Sequence, residues 1–124
     1  MDDDLLAEGR AIQARLWPQV ASGPAGAFPA AQLAPDFYRY VAESAFGMLW
    51  SRPGLAIRDR SLVTVAQLAA LGKTEELKAH LRGARNLGIT QEELVEVLMQ
   101  TAVYAGVPAA NEGLRAAAEV FEVG

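Results

Sequence analysis

The sequence predicts an all-α protein of about six helices. Three observations carry that prediction. Apolar residues recur at three- to four-residue spacing from position 35 onward, and glycines that stop helices stand at 72, 88 and 106. No stretch of the chain carries a convincing strand pattern or an internal repeat.

Each element has its own signal. Residues 4–17 place Leu5, Ile12, Leu16 and Trp17 among Glu and Arg, a helix that Pro18 ends. Residues 20–35, "VASGPAGAFPAAQLAP", are rich in Pro and Gly and read as an extended loop. Pro35 then opens a helix over 35–50, with Phe37, Tyr40, Val41, Ala45 and Met48 or Leu49 at helical spacing. "SRPGLAIRDR" (51–60) interrupts it with a Pro-Gly turn.

Asp59 is the expected N-cap of a helix over 60–72, whose apolar face runs through Leu62, Val65, Leu68 and Ala69. Val63 and Val65 would also suit a strand, but the length of the segment and its continuation "AQLAAL" favour a helix. Thr74 is the expected cap of a helix over 75–88, with two acids in its first turn. Thr90 and Glu93 form a capping box for a helix over 90–106. Pro108 opens the last helix. The chain divides by this reading into residues 1–34, a helix with an extended loop, and a helical domain over 35–124.

Composition narrows the function. The 124 residues are 52% hydrophobic and 21% charged, which suits a globular protein. A net charge of −4 with scattered Lys and Arg offers no field for nucleic acid. With no cysteine, disulfides, thiolate metal sites and dithiol redox chemistry are excluded. With one histidine, a first-row metal site would need several carboxylates around it, so no metal is expected. The acidic start "MDDDLLAEGR" lacks a basic, apolar leader, and no run reaches the ~18 apolar residues of a membrane span. The expected location is cytoplasmic. Surplus apolar surface, much of it alanine, is expected to be buried between copies in a homo-oligomer.

The candidate chemistry centres on His80, the single histidine. It lies three residues after Leu77 and four before Ala84, so it points into the apolar stripe of its helix. Two readings stand: a core histidine bonded to a neighbouring group, or a buried proton donor or acceptor. Glu76, one turn earlier, either orients the ring and favours imidazolium or makes a surface pair of about 0.2–0.5 kcal/mol. Ser61 falls in phase with Val65 and Leu68, as a site hydroxyl or a first-turn cap. Gln100 and Tyr104 are one turn apart, and Tyr104 also suits a core aromatic. Trp50 and Arg52 stand at a helix-to-loop corner, where an arginine can fork onto a carboxylate.

The segments "WSRPGL" (50–55), "RSLVTVA" (60–66), "HLRGA" (80–84), "EVLMQ" (96–100) and "YAGVPAA" (104–110) occur in one order. In them the chain resembles the carboxymuconolactone decarboxylase family over about residues 36–122, and within it the 4-carboxymuconolactone decarboxylase branch. The superfamily also includes alkylhydroperoxidase-like proteins, which use a Cys-x-x-Cys motif. Lys73 and Glu76 stand at the cysteine positions here, and Ser61 at that of an earlier glutamate, so thiol peroxidase chemistry is excluded. Ala105 replaces a cysteine frequent in the decarboxylase branch.

The resemblance implies a ring-like homo-oligomer, a hexamer or trimer, and cofactor-independent decarboxylation of a carboxylated γ-lactone in aromatic breakdown. It implies His80 as proton donor assisted by Glu76, Arg52 or Arg60 as carboxylate clamp, and Ser61, Gln100, Tyr104 and Trp50 as further substrate contacts. The alternatives are a non-decarboxylating binding protein in metabolism or stress, or a proton-transfer isomerase.

Overall fold

Helical periodicity from end to end produces helices and no strand among the residues described by the computed structural model, 3–21 and 29–122. By packing they fall into two units, Met1–Ile57 and Arg58–Gly124.

The first unit holds α1 (Asp3–Leu16), α2 (Pro18–Ala21), α3 (Pro29–Leu33) and α4 (Pro35–Val41), which runs on without a break into a π-helical stretch, Ala42–Trp50. The loop expected over 20–35 is therefore helical at both ends, while its centre, 22–28, lies outside the described residues. Pro18 and Pro29 each open a short helix, because a proline lacks only an N–H that the first turn leaves unpaired anyway.

The 35–50 helix corrects the expected face as well as the geometry. Phe37, Tyr40, Met48 and Leu49 are exposed, and Ala42, Phe46 and Gly47 are buried. A π-helix bonds i to i+5 and holds more residues per turn, so within Ala42–Trp50 the buried face departs from the one a 3.6-residue period predicts. This stretch packs closely against α1. A Cβ on Gly9 would fall inside the carbonyl of Ala42, and one on Gly47 inside the carbonyl of Leu5. The two backbones touch directly, which only glycine permits. Trp17 and Trp50 close the end of this contact on Phe46, with ring centroids 5.9 and 5.6 Å from it.

The second unit is built from α5 (Ile57–Leu71), α6 (Thr74–Asn86), α7 (Gln91–Ala105) and α8 (Val107–Val120). Its core joins Val65 and Ala69 of α5, Leu77, Leu81 and Ala84 of α6, Leu94 and Leu98 of α7, and Ala116 and Ala117 of α8. Ile89 seals the α6–α7 corner at 0% exposure. Two helix starts differ from expectation. α5 begins at Ile57, so Asp59 lies inside its first turn as a dipole-favoured acid rather than capping it. α6 begins at Thr74 with Lys73 in the cap position and no side-chain cap bond.

The capping box of α7 forms as expected. The Glu93 N–H donates to Thr90 Oγ1 at 3.1 Å, and the Thr90 N–H donates to Glu93 at 3.0 Å. Arg58 pairs with the same carboxylate, tying the start of α5 to the start of α7. The Thr90 hydrogen bond, with Arg58 in support, holds the Glu93 carboxyl below its usual value. Gly72, Gly88 and Gly106 all adopt positive φ at the ends of α5, α6 and α7. Among the described residues no helix is long and apolar enough to cross a membrane.

Candidate active site

α6 is the most sharply two-sided helix of the second unit. Leu77, Leu81 and Ala84 are buried on one side, and Glu75, Arg82 and Arg85 are exposed on the other. His80 sits at the edge of the buried side, half-covered. Burial pushes its pKa down to about 4, because an imidazolium loses hydration there. No carboxylate offsets that shift. Glu76 is exposed, so the geometry does not give it the ring-orienting position that an i,i+4 spacing allows. The resting ring is thus neutral at pH 7, where a nearby acid would have favoured imidazolium.

Stability should register this burial. The unfolded chain takes up a proton on His80 near pH 6.5, and the folded chain only near pH 4. Stability is therefore full above about pH 6.5 and declines as pH falls towards 4, by roughly 3 kcal/mol from this residue. Urea melts between pH 7 and 4.5 are expected to show a shallower decline in His80→Asn than in the parent. Parallel declines would mean that the ring is not desolvated.

Ser61 lies in the first half of α5 at 0% exposure, and no hydrogen bond reaches its Oγ. It is not a cap. A buried hydroxyl left so costs about 1–3 kcal/mol, and such an atom calls for an explanation. Arg60 precedes it, half-buried, with its Nε shielded from solvent. His80 Nδ1 is likewise shielded and receives no hydrogen bond at that atom, although His80 takes part in another interaction. These three residues belong to the second unit. Trp50, half-buried, and Arg52, exposed, belong to the first.

Gln100 and Tyr104 lie on α7. Both are exposed, Tyr104 at 84%, and they line an open groove of about 400 Å³ between α5 and α7. Tyr104 is no core aromatic, although its spacing suited one. Leu62, Ala66, Ala70, Val97 and Ala105 form the apolar part of that groove, and no charged side chain lines it. Gln67, across from them on α5, escaped the sequence reading. Its signal was the absence of any charge from Ser61 through Leu71, which leaves a glutamine as the polar marker of that face. Thr101 is buried and spends its hydroxyl on the Val97 carbonyl at 3.2 Å.

Comparison with known proteins adds the following. The profile of the carboxymuconolactone decarboxylase family matches residues 35–119. The chain is 47% identical to a 4-carboxymuconolactone decarboxylase of Acinetobacter baylyi over 70% of its own length and 65% of that protein's. It is 39% identical to a nitrosuccinic acid decarboxylase of Metarhizium robertsii over 60% of its length and 52% of that protein's. An uncharacterised 15.0 kDa protein of Paracoccus denitrificans is 29% identical over 73% of the chain and 69% of that protein. The match thus spans less than two thirds of either named decarboxylase.

Proposed function

The chain belongs to the carboxymuconolactone decarboxylase family, and from that premise we propose that it is a carboxy-lyase acting on a small carboxylated acid without a cofactor. The observation that carries this is the single histidine, held half-buried on α6 at the edge of the core. The two named relatives act, by their names, on 4-carboxymuconolactone and nitrosuccinic acid. Both compounds place carboxylates in a molecule with an electron-accepting group, a conjugated lactone carbonyl or a nitro group.

For the lactone the step balances as follows. The bond from the ring carbon to its carboxylate breaks and CO2 leaves. The electron pair moves through the ring double bond onto the lactone carbonyl oxygen. A proton then arrives on the ring carbon beside that carbonyl. The protein must hold the carboxylates, place a donor on the charged oxygen and deliver one proton.

His80 is the proton carrier in this scheme. Its resting form is neutral, so a bound polycarboxylate has to raise its pKa before it acts, which an anion at short range does. Ser61, with a buried hydroxyl to which no hydrogen bond is made, supplies a donor for the lactone oxygen. Arg60, half-buried next to it, is the carboxylate clamp in preference to the exposed Arg52. Arg60→Ala is expected to raise KM roughly 10–100-fold, the loss of a charge-assisted bond of about 1.5–3 kcal/mol. Arg52→Ala is expected to do less. The reverse order in steady-state kinetics would move the clamp to the first unit.

The neutral resting histidine also favours a second reading, a proton-transfer isomerase in which His80 acts as base. The experiment that separates the two is CO2 release from 4-carboxymuconolactone and from nitrosuccinic acid by the purified chain. Release from either supports the carboxy-lyase reading, and release from neither contradicts it.

A further inference from the structure

The charges of α5 lie at its start. Arg58, Asp59 and Arg60 are followed by an uncharged run from Ser61 through Leu71. Val65 and Ala69 pack that run into the core. Apolar packing is non-directional, so it sets the depth of the helix without closely fixing its rotation. Ser61 does not fix it either. Thr64 on the same helix and Thr101 on α7 donate their hydroxyls to the carbonyl four residues back, at 2.8 and 3.2 Å, whereas the Ser61 hydroxyl makes no hydrogen bond.

Arg58 supplies a directional contact. The two carboxylate oxygens of Glu93 are divided between two tasks. Oε1 accepts the Thr90 N–H at 3.0 Å and the Thr90 hydroxyl at 3.1 Å, and Oε2 accepts from Arg58. An exposed ion pair ordinarily contributes little, because two long side chains must be ordered to make it. Here the capping box has already ordered one of them.

Arg60 is the residue that a rotation would displace. It projects about 200° around the helix from Arg58, half-buried, with its Nε shielded from solvent. At the ~6 Å radius that helix side chains reach, a turn of about 20° carries its head roughly 2 Å. A misplacement of about 1 Å is enough to spoil the alignment of a bound substrate. We infer that Arg58 and Glu93 are a positioning pair, set by the Thr90 cap, that holds the start of α5 so that Arg60 meets the substrate carboxylate. The inference rests on the proposed role of Arg60 as the clamp.

Kinetics and amide exchange of the full chain test it. Arg58→Gln and Glu93→Gln each remove the ion pair, and glutamine at 93 preserves the capping box. Each is expected to raise KM for the acid that the chain decarboxylates about 3–10-fold, with kcat within about two-fold of the parent. In an Arg60→Ala background Arg58→Gln is expected to add less than about two-fold, because the clamp it positions is gone. Arg58→Lys, which keeps the charge, is expected to stay within about two-fold of the parent. Lys78→Gln removes an ion pair between α6 and α8, 2.8 Å long to Glu119, and is expected to leave KM unchanged. Exchange of the Arg60 and Ser61 amides in the ligand-free chain, followed by NMR, needs no turnover and is expected to quicken about 3–10-fold in Arg58→Gln. Exchange at the parent rate overturns the inference. So does a KM effect that persists in full in Arg60→Ala, or an equal rise in Lys78→Gln. Faster exchange in Arg58→Gln, with no CO2 released by the parent, supports the positioning of α5 and contradicts the carboxy-lyase reading alone.

Discussion

His80→Asn is expected to lower kcat by about 10²–10⁴-fold on whichever acid the chain decarboxylates, while the protein stays folded. Asparagine is smaller and polar, so the half-buried site on α6 accepts it, but it carries no proton that titrates near neutrality. The pH profiles sharpen the expectation. In the free protein His80 has a pKa of about 4, whereas the bound anion raises it in the complex. Since kcat/KM reports the free enzyme and kcat the complex, kcat/KM is expected to fall with rising pH well before kcat does. If His80 is only a core residue, the same substitution reduces stability by about 1–3 kcal/mol and spares turnover per folded molecule. Thermal midpoint and kcat measured on one preparation distinguish the outcomes. Normal kcat in an early-melting variant would remove His80 from the reaction.

Gly9→Ala is expected to have the largest effect on stability of any single-atom change in the first unit. Helix propensity alone predicts a gain of about 1 kcal/mol, because Gly9 lies inside α1. The structure predicts the opposite sign. The new Cβ would overlap the Ala42 carbonyl, which is backbone and has no rotamer to escape into. Separating α1 from the π-helical stretch is expected to cost roughly 3 kcal/mol, the upper end of ordinary overpacking. That corresponds to a fall in Tm of roughly 10 °C for a chain of this size. Gly47→Ala, which meets the Leu5 carbonyl, is expected to behave alike. A Tm equal to or above that of the parent would mean that the two helices do not touch as described.

These glycines mark what the sequence left hidden. A glycine in a helical pattern looks like a weak point, and nothing in "AEGRAIQ" or "SAFGMLW" says that one faces the other across 38 residues. The π-helical stretch was not legible either, since the spacing of apolar residues reads as an ordinary helix there. Within it Met48 and Leu49 face outward, against a 3.6-residue reading, and Phe37 and Tyr40 of α4 before it are exposed too. By contrast, α6, α7 and α8 were legible because local signals and burial agree. Leu77, Leu81 and Ala84 repeat at helical spacing and are buried, and the Thr90–Glu93 box forms both of its bonds. Of the candidate site, the burial of His80 and Ser61 was readable from phase. The exposure of Glu76 was not, because i,i+4 spacing fixes a shared helix face and leaves open which side of the boundary each residue falls on. Gln100 and Tyr104 were picked out as polar residues one turn apart on an apolar face, and both line the open groove between α5 and α7.

The central claim is that the chain exchanges one carboxylate for one proton delivered by His80. Turnover of 4-carboxymuconolactone in D2O, followed by NMR and by CO2 release, tests it most directly. One deuterium at the ring carbon beside the lactone carbonyl for each CO2 released, with both abolished together in His80→Asn, is the predicted result. Deuterium exchange without CO2, or CO2 release that persists at the parent rate in His80→Asn, would contradict it.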